Sequence, residues 1–277
     1  MSTGFDRHDV ETSHGRIAVE ETRGRGLPLL LIHGNSSCRE VFRHQLDAPL
    51  AERRRVIAFD LPGHGESGDA PDPMRSYTRS GLADAAVELL EHLGVREAAV
   101  FGWSLGGHVG IDMLSRFPGM RGLMISGSPP VRRNRMAEGF VGSPGSGLAG
   151  KEHLTDAEVE AFAKGMFGEP VEPFLRAAIA RTDGRFRKRL FEVARTGEGE
   201  DQREAVEGSP VLLGVVNGAA DPMINLDYID SVAYAHLWER RCHRVEGAGH
   251  APHWRAPEKF NSLLERFLRD VEDGAFG

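Results

Sequence analysis

The chain has 277 residues, 40% of them hydrophobic, and a formal charge of −7 at pH 7. An acidic balance gives no general attraction to nucleic acid or to an anionic membrane surface, and no apolar stretch approaches the length of a membrane span. The two cysteines, Cys38 and Cys242, are read as free thiols, and no basic-then-apolar signal opens the sequence, so a cytoplasmic protein is expected.

In chain order, residues 1–7 are expected to be disordered. Val10 to Thr12 and Arg16 to Glu21 read as two strands of an antiparallel hairpin turning at Ser13-His14-Gly15. Leu27 to Ile32 is a continuous apolar run, the pattern of a strand buried on both faces. It ends at His33-Gly34-Asn35. Val56 to Phe59 is a second such strand and ends at Asp60-Leu-Pro-Gly-His-Gly-Glu-Ser67. Leu82, Ala85, Ala86, Leu89 and Leu93 recur at helical spacing, and Gly94 stops that helix. Strands follow at Ala98–Phe101, Leu123–Ile125, Val211–Val216 and Cys242–Val245. Phe260, Leu263, Leu264, Phe267, Leu268 and Val271 mark one face of a final helix. Strands alternating with helices predict an α/β fold with a mostly parallel central sheet flanked by helices.

Residues 131–209 break the alternation. Gly139 to Gly150 reads as a flexible loop. Thr155-Asp-Ala-Glu158 is a capping box that opens a helix with Val159, Phe162, Ala163 and Met166 on one face. Pro173 starts another, with Phe174, Ala178 and Ile179 inward. The expected organisation is a core built from 1–130 and 210–277, with 131–209 inserted as a helical cap, or lid, over the strand ends.

Chemistry concentrates at those strand ends. Phe101-Gly-Trp-Ser-Leu-Gly-Gly107 places Gly-x-Ser-x-Gly between a strand and a helix, the context of a nucleophile elbow. The turn is tight, so Gly102 and Gly106 supply the small residues on either side of Ser104. A glycine-rich βα turn with a chance serine is the plainer alternative, and the flanking strand and helix weigh against it. A serine nucleophile needs a base and the base needs an orienting carboxylate. His250, in Gly247-Ala-Gly-His-Ala-Pro-His-Trp254 after the last strand, is the expected base, with His253 its nearest rival. Asp221, in Asn217-Gly-Ala-Ala-Asp-Pro222, is the expected acid, against the plainer reading of an Asp-Pro turn. The backbone N–H groups of Leu105 and Asn35 are the expected oxyanion donors. His33 and His64 are expected to brace loops. An acyl chain is expected to meet Phe162 and Met166 from the cap and Trp103 from below. No metal site or cofactor is implied by ligand spacing.

These motifs carry a resemblance. Leu31-Ile-His-Gly-Asn-Ser36, Asp60 to Ser67, Phe101 to Gly107 and Gly247 to Pro252, in that order, resemble the α/β-hydrolase superfamily, whose triad runs nucleophile, acid, histidine along the chain. Glu11-Thr-Ser-His-Gly-Arg-Ile-Ala-Val19, Met120-Arg-Gly-Leu-Met-Ile125 and Ala180-Arg-Thr-Asp-Gly184 are similar to the α/β-hydrolase type of N-acyl homoserine lactonase, over nearly the whole chain. That resemblance implies metal-independent opening of the lactone ring of bacterial quorum-sensing signals, through an acyl-enzyme on Ser104. Two positions depart from it: Asp221 stands where that lactonase has Glu, and Phe162 where it has a lid tyrosine. A general carboxylesterase, a carbon–carbon bond hydrolase and a receptor-like α/β-hydrolase that binds a small ligand with little turnover are the alternatives. A small-molecule lactone or ester is the expected partner, with neither nucleic acid nor membrane.

Overall fold

The computed structural model describes residues 5–142 and 146–274. Its strands are β1 (Asp6–Thr12), β2 (Gly15–Glu21), β3 (Gly26–Ile32), β4 (Arg54–Phe59), β5 (Ala98–Trp103), β6 (Met120–Ser126), β7 (Leu212–Gly218) and β8 (His243–Val245). They form one sheet in the order β1-β2-β4-β3-β5-β6-β7-β8. Only β1 with β2 and β2 with β4 pair antiparallel; the other neighbours are parallel. The continuous apolar run of β3 has a direct cause. Leu30 and Ile32 enter one hydrophobic cluster while Leu29 and Leu31 enter the other, so both faces of this central strand are covered.

Two helices cover the first face. α1 (Arg79–His92) begins at Thr78, whose hydroxyl accepts the Gly81 N–H, and presents Leu82, Ala86 and Leu89 to the sheet. Just beyond its end Gly94 turns the chain at φ +67°. α2 (Leu105–Met113) lies beside it. The other face is covered by the C-terminal helix, whose Phe260, Leu264, Phe267, Leu268 and Val271 recur at helical spacing and are fully buried. Burial of each such side chain contributes roughly 1.5–3 kcal/mol.

Between β6 and β7 lie α3 (Asp156–Phe167), α4 (Pro173–Arg181), α5 (Gly184–Thr196) and α6 (Gln202–Gly208); the C-terminal helix is α7 (Pro257–Asp273). The Thr155 hydroxyl accepts the Glu158 N–H, and the Glu158 carboxylate accepts the Thr155 N–H at 2.9 Å, completing the expected capping box. Val159, Phe162, Ala163 and Met166 are buried as their spacing predicts.

Three local expectations are corrected. Residues 1–4 lie outside the described residues, but Asp6 and Arg7, expected to be disordered, already pair with Glu21 and Glu20 in β1. Charge hides this edge strand: Asp6 takes Arg23 and Arg7 takes Glu20 as ionic partners, where an apolar alternation would have marked it. Within the stretch expected to be a flexible loop, Gly139 closes a helical turn, Phe140 bridges to Ile224, and 146–150 is a 3₁₀ turn; residues 143–145 lie outside the described set. Finally, α5 and α6 add to the two helices expected in this region. In α5 the inward Phe186, Leu190 and Val193 are set among arginines and lysine that mask their periodicity.

Candidate active site

Strand β5 delivers the chain to Ser104 and α2 leaves from it. Ser104 stands at φ +54° and ψ −119°, a region that side chains rarely occupy and that strained functional turns use. The two glycines are steric requirements. A Cβ on Gly102 would lie 2.2 Å from the Gly106 carbonyl oxygen, and one on Gly106 would lie 1.9 Å from that of Ile32. The Ser104 carbonyl accepts the Gly107 and His108 N–H groups at 3.0 and 3.3 Å and the Ser128 hydroxyl at 2.7 Å, which locks the elbow from three sides.

The loop after β8 brings His250 to the serine: Nε2 lies 3.0 Å from Ser104 Oγ. Nδ1 lies 2.8 Å from Asp221 Oδ2, and since a carboxylate only accepts, Nδ1 carries the proton and Nε2 is free to accept from the serine. Asp221 follows β7. Its Oδ1 accepts the Met223 and Ile224 N–H groups at 2.9 and 3.3 Å. Burial alone would raise its pKa, but the His250 ring and these hydrogen bonds outweigh that and hold the carboxyl below its ordinary value. Gly127, at φ +67°, gives the imidazole room: a Cβ there would sit 2.7 Å from His250 Cε1. Sequence reading passed over this glycine, because its constraint comes from a residue more than a hundred positions away.

Asn35 lies on the loop after β3, beside the elbow, and Leu105 opens α2. Among the described residues neither backbone N–H donates a hydrogen bond within the protein. The Asn35 side chain is tied outward: its Nδ2 donates to the Ala149 carbonyl, and its Oδ1 accepts the Ser36 hydroxyl at 2.9 Å. Ser36 in turn accepts from Arg187 of α5 at 3.3 Å. His33 and His64 brace the same loops, His33 accepting the Leu61 N–H and His64 the Ser36 N–H at 3.0 and 3.2 Å.

A cavity of about 370 Å³ opens over Ser104 and His250, within the range of about 300–1,000 Å³ usual for small-molecule sites. Its walls are mostly apolar, with Phe162 and Met166 from α3, Leu190, Phe191 and Val193 from α5, and Val131, Phe140 and Ile224. The exposed Arg132, Arg133, Asn134 and Glu198 stand at its rim. Trp103 is corrected: it does not line the cavity. Its ring is fully buried below, packs on His253 and Phe167, and donates Nε1–H to the His250 carbonyl at 2.8 Å. The side chain at the position before the serine points under the elbow, so Trp103 steadies the histidine loop. His253 is also buried below, in a box of Phe42, Phe101, Trp103 and Phe260, away from Ser104. The buried cysteine Cys38 and the half-buried Cys242 are both free thiols.

Fold and elbow together define an α/β-hydrolase. The model of the alpha/beta hydrolase family matches residues 29–263, and the chain belongs to that family. Among solved structures, a serine-to-glycine variant of the N-acyl homoserine lactonase AidH, complexed with N-hexanoyl homoserine lactone, is 48% identical with a TM-score of 0.95, over 97% of this chain and 99% of that one. AidH complexed with N-butanoyl homoserine is 49% identical with a TM-score of 0.94, over 96% and 97% of the two chains. Curated relatives are more distant. The dihydrolipoyllysine-residue acetyltransferase component of the acetoin cleaving system of Pseudomonas putida is 28% identical over 88% of this chain, and the chain spans 64% of that protein's length. The AB hydrolase superfamily protein YisY of Bacillus subtilis (strain 168) is 22% identical over 94% of this chain and 98% of its own. Among the described residues no helix is long and apolar enough to cross a membrane, and no group of three or more His, Cys, Asp or Glu side chains converges as a metal site.

Proposed function

We propose that this hydrolase opens the lactone ring of N-acyl homoserine lactones through an acyl-enzyme on Ser104. The observation that carries the reading is the 48% identity to a lactonase over nearly the full length of both chains, joined to a histidine within hydrogen-bond reach of a serine on one side and a carboxylate on the other. Residues 131–209 act as the cap over the core, and Phe162 and Met166 supply apolar wall for the acyl chain.

In the proposed reaction His250 Nε2 takes the Ser104 proton as Oγ attacks the lactone carbonyl. Asp221, ionised because its pKa is held down, steadies the imidazolium. The oxyanion is held by the N–H groups of Leu105 and Asn35, each worth about 3–4 kcal/mol of barrier, and the N-terminus of α2 adds favourable potential. The ring oxygen leaves with the proton from His250. Water, activated by the same nitrogen, then frees the open-chain acyl homoserine. Amide cleavage is the slower course for this apparatus, because an amide carbonyl is resonance-stabilised and a lactone carbonyl is not.

The test is the mass of the product from N-hexanoyl homoserine lactone, with a chelator present. Ring opening adds one water and keeps the acyl chain attached. Release of free homoserine lactone with hexanoate would point to an amidase. No water added above the spontaneous rate, with brisk hydrolysis of simple esters, would make the protein a general carboxylesterase.

A further inference from the structure

One buried polar group beside the elbow has no part in the reaction just described. His108 lies one helical turn after Ser104, and its N–H bonds the Ser104 carbonyl. Its ring lines the cavity. Nδ1 lies 2.6 Å from Gln202 Oε1. The orientation of that amide is fixed independently, since Gln202 Nε2 lies 2.8 Å from the His108 carbonyl oxygen, which can only accept, and 2.6 Å from Asp112 Oδ1. Oε1 therefore accepts from Nδ1, and the His108 proton sits on Nδ1. Nε2 is left as a lone pair. It takes no hydrogen bond from the described residues, and the residue stands on the cavity wall. Burial, with Arg79 nearby, pushes the ring pKa down to about 4, so the lone pair persists at neutral pH.

We propose that His108 Nε2 accepts a hydrogen bond from a substrate N–H two bonds from the scissile carbonyl carbon, making His108 the residue that selects α-acylamino lactones and esters. This rests on the lactone-opening reading and names the group that the site recognises. Ser104 and His108 line one cavity, and the His108 N–H donates to the Ser104 carbonyl at 3.3 Å, so the two side chains leave adjacent backbone. Two single bonds separate the carbonyl carbon from the nitrogen by about 2.5 Å, and a hydrogen bond adds about 3 Å, so a donor one substituent from the attacked carbon meets an acceptor beside the nucleophile. An analogue without that donor would strip water from the lone pair and leave it unpaired.

The test compares N-hexanoyl homoserine lactone with the isostere that has CH₂ in place of N–H. The quantity read is the ratio of their kcat/KM values on one enzyme. Wild type is expected to prefer the amide about 10- to 100-fold, and His108→Leu to reduce the ratio to within about threefold. Equal rates on wild type, or an unchanged ratio in a folded His108→Leu, would overturn the proposal and leave ring opening intact. If neither lactone is opened, ring opening fails by itself. The ratio is then read on p-nitrophenyl esters of N-hexanoylglycine and its CH₂ isostere, with the same two expectations. Because His108→Leu strands Gln202 and can cost the fold, a second readout uses Ser104→Ala with His108 intact. The ¹⁵N resonance of Nε2 is expected to shift on binding the N–H compound and not the isostere. The same shift with both would refute the assignment.

Discussion

Ser104, His250 and Asp221 each follow a strand, and each is bracketed by residues whose need is local. That is why they are legible in the sequence. The elbow announces itself because glycines flank the serine in the turn where Cβ atoms would collide with carbonyl oxygens. The hydrogen bonds from Ser104 to His250 and from His250 to Asp221 predict the effect of removing the nucleophile. Ser104→Ala is expected to keep the wild-type melting temperature and to lose about 10⁴-fold or more in kcat. Retention of a tenth of the wild-type rate in a steady-state assay would rule out the acyl-enzyme. His108 and Gly127 are not legible in the same way. Gln202, which fixes the His108 tautomer, lies 94 residues further along, and nothing near His108 signals an amide partner. The place of Trp103 is hidden from the sequence for a related reason. A ring next to the nucleophile in sequence suggests substrate contact, whereas a strand alternates its side chains and turns this one into the hydrophobic cluster on the C-terminal-helix face of the sheet, against His253.

At the scale of elements, the strands were legible because both faces of a central parallel strand are apolar, while the cap helices depend on contacts that cross the chain. Helix α5 is the clearest case. Its Arg187 is buried at 3% exposure and no ion pair holds it among the described residues. The guanidinium instead donates to the carbonyls of Lys151, Glu152 and Ile179 and to the Ser36 hydroxyl, at 2.8 to 3.3 Å. A buried cation satisfied only by neutral acceptors is strongly committed to its position, since each lost acceptor leaves a charge unsolvated. Through Ser36 and the Asn35 side chain it joins α5 to the loop that carries the proposed oxyanion donor. Ser36 itself is held at φ +55°, so the loop is kept in an uncommon shape by these ties. Arg187→Met is expected to lower kcat about tenfold, with KM for a short ester changed less than threefold. Steady-state kinetics on the folded variant, with near-ultraviolet circular dichroism as the check on folding, decide it. A full kcat would mean that the cap and the oxyanion loop are held independently of this bond.

The molecule as a whole carries neutral histidines in its interior, and these set how it meets acid. His253 has both ring nitrogens enclosed, with no hydrogen-bond partner among the described residues, inside its aromatic box. Burial, with His250 and His44 nearby, pushes its pKa down to about 3. His108, against Gln202, is pushed down to about 4. Unfolding returns both to the ordinary histidine value near 6.5. The unfolded chain therefore binds protons that the folded chain refuses, and the sign follows: each ring's contribution is complete above pH 6.5, declines as pH falls below it, and is exhausted near the folded pKa. Between pH 7 and pH 5 the loss is on the order of 2 kcal/mol for each ring, a substantial part of a typical stability of roughly 5–15 kcal/mol. Leu has no proton to bind, so His253→Leu is expected to shrink the fall in urea-unfolding free energy between pH 7 and pH 5 by about 2 kcal/mol. It is also expected to keep more than a tenth of wild-type kcat, because the ring touches Trp103 and not Ser104, whereas His250→Ala loses nearly all turnover. An undiminished fall in stability in His253→Leu would show that the ring takes up its proton inside the fold. Loss of turnover as deep as that of His250→Ala, with folding intact, would return His253 to the catalytic chemistry.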